Sequence, residues 1–124
     1  MNDTFSELNR CRKFIEAALE YSQGTHTFDD IAAGVLSQRY QLWPNHNSAV
    51  VTEIVVYPRL KDLHFFLAGG DLDELKIMRS HIEGWGKSVG CTRVSLAGRK
   101  GWERTFLKDE GYKPEWFILS KELL

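Results

Sequence analysis

The sequence predicts an α/β (α+β) domain, and three features predict it. Apolar residues recur at helical spacing from Phe5 to Leu36, a β-branched run occupies Ala49 to Tyr57, and helix and strand patterns alternate after a Gly69-Gly70 break. The chain has 124 residues, 43% of them hydrophobic. That makes a single domain over residues 1–124, with core enough to fold without disulfides or metals.

Thr4-Phe5-Ser6-Glu7 has the pattern of a capping box, in which the Thr hydroxyl and the Glu carboxylate accept from free amides at a helix start. Phe5, Leu8, Cys11, Ile15, Ala18 and Leu19 mark the apolar face of that helix, and Gly24 ends it. A second helix opens at Thr27-Phe28-Asp29-Asp30, with Phe28, Ile31, Ala32, Val35 and Leu36 facing inward. Residues 40–44, 49–57 and 63–67 read as strands of an antiparallel meander, separated by the polar turn Asn45-His46-Asn47 and by Pro58 with a charged turn. Asp71 and Glu74 open a helix whose Leu72, Leu75, Met78, Ile82 and Trp85 share a face, with Gly90 at its end. Residues 92–96 are then a strand, Gly101-Trp102 to Glu110 a short helix closed by Gly111, and Trp116-Phe117-Ile118-Leu119 a last strand. The order is ααβββαβαβ, with no internal repeat and no linker.

Sixteen basic and seventeen acidic side chains leave a formal net charge of −1. This argues against nucleic acid as a partner, because its binders carry a basic excess. The charge is unevenly spread: Arg93, Arg99, Lys100, Arg104, Lys108 and Lys113 stand against Glu103, Asp109 and Glu110, whereas residues 1–57 hold four basic and seven acidic residues. The later stretch either faces an anionic ligand or forms a solvated helix face. Cys11 and Cys91, far apart and unpatterned, fit buried thiols in a reducing compartment, so a cytoplasmic location is expected. No apolar run approaches the roughly 18 residues that span a bilayer, and Met1-Asn2-Asp3 begins no apolar leader; neither membrane insertion nor secretion is expected.

Several chemistries lack their patterns. His26, His46, His64 and His81 make no HxxxH or HxxE pairing and the cysteines no CxxC, so no metal is expected. GxSxG and GxxxxGK[ST] are absent, which leaves serine-hydrolase and P-loop chemistry without support. Trp43, Trp85, Trp102 and Trp116 are either core packing or stacking platforms.

The run Gly98-Arg99-Lys100-Gly101-Trp102-Glu103-Arg104 through Gly111-Tyr112, placed after a meander, a glycine break and a helix, resembles the closing strand–helix–strand of the GNAT acyltransferase superfamily. The resemblance runs from about Phe28 to Leu119 and is narrower still to short GNAT-like proteins of tailed bacteriophages. It implies a GNAT-like mixed central sheet that lacks the family's usual first strand, since no strand precedes the first helix. It also implies an acyl-CoA-dependent N-acetyltransferase, with acetyl-CoA as donor and an amine of a protein or small molecule as acceptor, working by direct transfer through a tetrahedral intermediate.

In that fold two parallel strands splay and acyl-CoA slots between them. The resemblance sets the backbone of Phe66 and Leu67 along the pantetheine, Ala68, Gly69, Gly70 and the amides around Asp71 at the pyrophosphate, and Arg99 and Lys100 on phosphates. Small residues and exposed N–H groups at a positive helix end suit a phosphate. The same stretch also reads as a Gly-Gly turn with an Asp cap, because Asp71, Asp73 and Glu74 put three carboxylates where they take up the helix dipole themselves.

Acyl transfer needs a base for the amine, and Glu53 is the first candidate. Alternation places it with Val51, Val55 and Tyr57 on one strand face, where apolar neighbours would raise its pKa; a salt-bridged carboxylate is the alternative. Leu107 stands where the family frequently has an acidic tyrosine, four residues before the Gly-aromatic pair. Tyr112 is the substitute candidate, against a plain role as a core aromatic. These departures keep a rival open: a GNAT scaffold without chemistry that acts by protein binding, as a phage virion component or an effector in host cytoplasm, with Trp43 and Trp116 as interface aromatics. A homodimer also stays open.

Overall fold

Two helices lead the chain in the computed structural model, which describes residues 3–98 and 105–123. α1 (Thr4–Leu19) buries Leu8, Cys11 and Ile15, and α2 (Phe28–Leu36) buries Phe28, Ile31 and Val35. At α2, where the sequence marks a helix start, a capping box forms: Thr27 Oγ1 accepts from the Asp30 N–H, and Asp30 Oδ2 accepts from the Thr27 N–H at 2.9 Å. At α1 the box expected of Thr4 and Glu7 does not form. Asp3 is the N-cap there without a side-chain capping bond, and the Glu7 carboxylate is drawn instead to Arg10 Nε, 2.6 Å away.

β1 (Tyr40–Pro44), β2 (Ser48–Val56) and β3 (Lys61–Gly70) form the antiparallel meander. α3 (Leu72–Ser88) then carries the chain to β4 (Arg93–Leu96), which runs parallel to β3. Among the described residues the sheet is therefore mixed, in the order β1-β2-β3-β4. α1 and α2 cover one face, packing Leu8, Ile15 and Ile31 on Ala49, Val51 and Leu67. α3 covers the other, packing Leu75, Met78 and Ile82 on Val50, Leu63 and Phe65. Trp43 and Trp85 meet edge to face on this second side, 5.2 Å between centroids. Trp43 is thus a packing residue whose Nε1 donates to Thr52 Oγ1, not an interface aromatic. Both cysteines are free, Cys11 buried and Cys91 half-buried. No helix among the described residues is long and apolar enough to cross a membrane.

One residue too many in β3 changes which side chains share a face. Val51 pairs with Leu67 and Thr52 with Phe65, so Phe66 bulges out of the ladder. Before the bulge Leu63 and Phe65 face α3; after it Leu67 faces α1. The end of β3 is held tightly. A Cβ on Gly69 would lie 2.2 Å from the Phe14 carbonyl oxygen of α1, and Gly70, at φ +113°, passes against Asn47 and Ser48. Close packing therefore accounts for both glycines.

The last elements depart from expectation. α4 (Phe106–Asp109) is short and buries Leu107. Residues 113–123 hold no strand, and Trp116, Phe117, Ile118 and Leu119 are exposed, by 75–94%. A short run with strand propensity becomes a strand only against a partner, and no strand among the described residues pairs with this one. Arg99, Lys100 and Trp102 lie outside the described residues.

A glycine packed against α1 and one on an open side of α3 respond oppositely to an added methyl group. Gly69→Ala forces a methyl group against an immovable backbone oxygen and should cost about 1–3 kcal/mol, roughly 4–12 °C in Tm. Gly84→Ala, in α3 with nothing within 4 Å, should raise Tm instead. Thermal denaturation of the two variants checks both signs.

Candidate functional site

The parallel pairing of β3 with β4 stops at Phe65 and Leu96, yet β3 runs on to Gly70. From Phe66 to Gly70 its outer edge has no strand partner among the described residues. An exposed strand edge is a template for an extended, amide-bearing chain. On the α3 side, Val50, Phe65, Ala68 and Leu107 line a cavity of about 60 Å³, room for about two waters. Arg79 also lines it, and its Nε is buried with no hydrogen-bond partner among the described residues.

β3 feeds directly into α3, so Phe66, Leu67, Ala68, Gly69, Gly70 and Asp71 form one continuous path from edge to helix start. The amides at that start are largely taken. Asp71 accepts from the N–H groups of Asp73 at 2.8 Å and Glu74 at 3.3 Å, and its own N–H donates to the Asn47 carbonyl at 2.9 Å. The Glu74 carboxylate accepts from Asn47 N at 2.9 Å and Ser48 Oγ at 2.5 Å. The Asp cap inferred as an alternative is therefore built, and an anion here competes with a carboxylate already in place.

The opposite face carries a polar band below the bulge. Glu53 of β2, His64 of β3 and Ser95 of β4 sit side by side in register, with Asp62 and Arg93 one step along. Glu53 does not have the apolar surroundings expected for it: its carboxylate accepts from Arg39 Nε at 3.3 Å. Asp62, 2% exposed, accepts from Arg93 Nε at 2.9 Å and Ser95 Oγ at 2.6 Å, and His64 Nδ1 lies 3.0 Å from Ser95 Oγ. Burial pushes the His64 imidazole below its ordinary pKa, against a smaller upward pull from Asp62 and Glu53, which favours the neutral ring. Phe66 caps the upper end of this face, in edge contact with His26 at 4.9 Å.

Tyr112 lies elsewhere. Its hydroxyl donates to Glu83 of α3, which also pairs with Arg79 at 2.6 Å, and Arg79 holds Glu110 beyond α4. Burial, and then Glu83, push the phenol well above its ordinary value. Tyr112 and Glu53 thus sit on opposite sides of the sheet, and Tyr112 fastens the end of α4 to α3. The structure brings the expected donor-side residues 66–71 together and leaves Tyr112 apart from Glu53. Sequence reasoning missed His64, Ser95 and Asp62. Alternation in 62–64 and 93–95 carried part of the signal, but only the parallel register joins them. Among the described residues no cluster of three or more His, Cys, Asp or Glu side chains stands ready for a metal ion.

The mixed sheet and its helices match the fold of solved GNAT-type acetyltransferases. Solved structures share it over nearly the whole chain. A GNAT family acetyltransferase of Staphylococcus aureus matches with a TM-score of 0.66 at 12% identity, covering 99% of this chain and 95% of that one. An acetyltransferase of Trypanosoma brucei matches at 0.64 and 13%, covering 95% and 94%. A ribosomal-protein-alanine N-acetyltransferase of Brucella melitensis matches at 0.61 and 13%, covering 94% and 96%. No protein-family model matches the sequence, and no curated protein matches it.

Removing the Asp71 carboxylate tests what the start of α3 can hold. Asp71→Ala should lower stability by about 1 kcal/mol through the lost cap and, by freeing the Asp73 and Glu74 amides, tighten binding of adenosine diphosphate. Chemical denaturation and isothermal titration read the two effects separately.

Proposed function

We propose that this protein is an acyl-CoA-dependent N-acyltransferase, with acetyl-CoA as donor and an amine of a protein or small molecule as acceptor. The observation that carries the proposal is the parting of β3 from β4 after Phe65, ahead of a helix start. The free edge at Phe66 and Leu67 suits the two amides of a pantetheine arm, and the gap beyond Phe65 gives its thioester end access to the α1–α2 face. Of the phosphate contacts expected from sequence, Gly69, Gly70 and Asp71 stand at the right end of the strand, and Arg99 and Lys100 remain part of the proposal. The amine approaches from the α1–α2 face, where its proton leaves through the Glu53–His64 pair as the nitrogen bonds to the acyl carbon and the carbon–sulfur bond breaks. Tyr112, tied to Glu83, is poorly placed to protonate the departing thiolate.

A second reading has its own support. The α3 amides are already capped by Asp71, and the apolar run 116–119 is exposed. Both suit a scaffold that binds a protein rather than acyl-CoA, as expected of a phage virion component or a host-directed effector.

Thermal unfolding with excess acetyl-CoA, desulfo-CoA or adenosine diphosphate separates the two. A ligand at about a hundred times its Kd stabilises by roughly 2.7 kcal/mol, on the order of 10 °C. Acyl transfer predicts a clear shift with acetyl-CoA and desulfo-CoA. No shift with any of the three at millimolar concentration, together with co-elution of a protein partner, would instead establish the scaffold.

A further inference from the structure

We infer that Asp62 and Ser95 form a relay that fixes His64 as the tautomer protonated on Nδ1, leaving Nε2 as the proton acceptor for the incoming amine. The acceptor role rests on the acyltransferase reading above; the tautomer does not. Asp62 is covered from solvent and accepts on both oxygens, from Arg93 Nε on one and Ser95 Oγ on the other. A carboxylate has no hydrogen to give, so the Ser95 hydroxyl hydrogen points at Asp62. The Ser95 oxygen is then an acceptor towards His64 Nδ1, 3.0 Å away, and the ring hydrogen must sit on Nδ1.

Three strands supply the parts, which is why no short motif announces them. Asp62 and His64 are two apart on β3 and so share a face, and parallel pairing puts Arg93 beside Asp62 and Ser95 beside His64. From β2, Glu53 stands opposite His64 and itself faces Arg39. Among the described residues the charged groups acting on the ring are Asp62 and Glu53, each paired with an arginine. As the amine gives up its proton to Nε2, its nitrogen bonds to the acyl carbon and the carbon–sulfur bond breaks to release the thiolate; the imidazolium that forms is stabilised by these two carboxylates. Ser95 and Asp62 are positioning residues here, and Glu53 stabilises the charge. The relay resembles in logic the carboxylate that orients a catalytic histidine elsewhere, with a serine hydroxyl interposed as a spacer rather than as a nucleophile.

The tautomer is read directly by two-bond ¹⁵N–¹H correlation spectra of the ¹⁵N-labelled protein near pH 7.5. The wild type should show His64 Nδ1 protonated and Nε2 bare. Ser95→Ala should return the ring mainly to the Nε2-protonated form that free histidine prefers. Asp62→Asn should do the same if Ser95→Ala fails to fold. A wild-type ring protonated on Nε2, or a tautomer unmoved by either variant, overturns the relay. In transfer assays, His64→Gln should lower kcat by about 100-fold or more with little change in KM. The acid limb of kcat/KM should fall below the ordinary imidazole value of about 6.5, because burial favours the neutral ring. An undiminished kcat in His64→Gln, or a limb at the ordinary carboxylate value of about 4.3, overturns the acceptor role. Absence of transfer with every amine tried removes that role together with the acyltransferase reading, and the spectra still decide the tautomer.

Discussion

The extra residue in β3 is the constraint on which the site depends. With Phe66 bulged from the ladder, the strand turns its faces over: Leu63 and Phe65 anchor α3, and Leu67 anchors α1. Without it, one of those sets would point its apolar side chains at the wrong layer, since a one-residue slip inverts every side chain beyond it. The same residue marks where β4 ceases to follow. Three features meet at this irregularity: a free strand edge beyond it, a small cavity beside Leu107, and a polar band at His64 on the far face.

The two ends of this arrangement are held in different ways. At the helix start, tight contact dominates: Gly69 lets the α1 backbone approach, Gly70 adopts a left-handed turn against β2, and Asp71 with Glu74 fastens the first turn of α3. These contacts make the junction rigid and also occupy most of the groups that would otherwise meet a phosphate. At the polar band, buried charge dominates. Asp62 is tolerable in the sheet only because Arg93 and Ser95 satisfy both of its oxygens, and loss of either partner would leave a buried carboxylate underpaired.

Local chemistry made most of the elements legible in the sequence. The helix start at Thr27-Phe28-Asp29-Asp30, the β-branched run of β2, the Gly69-Gly70 break and Gly90 each set a boundary within a few residues of the observed one, because each acts through neighbouring backbone. The Glu7 cap was misread because the Arg10 guanidinium competes successfully for the same carboxylate. The bulge was invisible: Leu63-His64-Phe65-Phe66-Leu67 is too apolar to show where alternation shifts phase. Gly69 and Gly70 admit two readings from sequence, a phosphate contact or a turn ahead of an Asp cap, and the close approach of helix and strand that requires glycine there comes from α1 and β2, distant in the chain. Glu53 was found on the correct face, but its neighbours Arg39 and His64 come from other strands and loops. The expected strand at Trp116–Leu119 had the propensity and lacked the partner.

The edge of β3 beyond the bulge is the proposed seat of an acyl-CoA. Amide hydrogen exchange, measured along the chain with and without saturating desulfo-CoA, tests it most directly. Slowed exchange concentrated at residues 66–70, with β1 and β2 unchanged, is the predicted result. Saturation without protection at these amides, or protection confined to the α1–β1 surface, would contradict it.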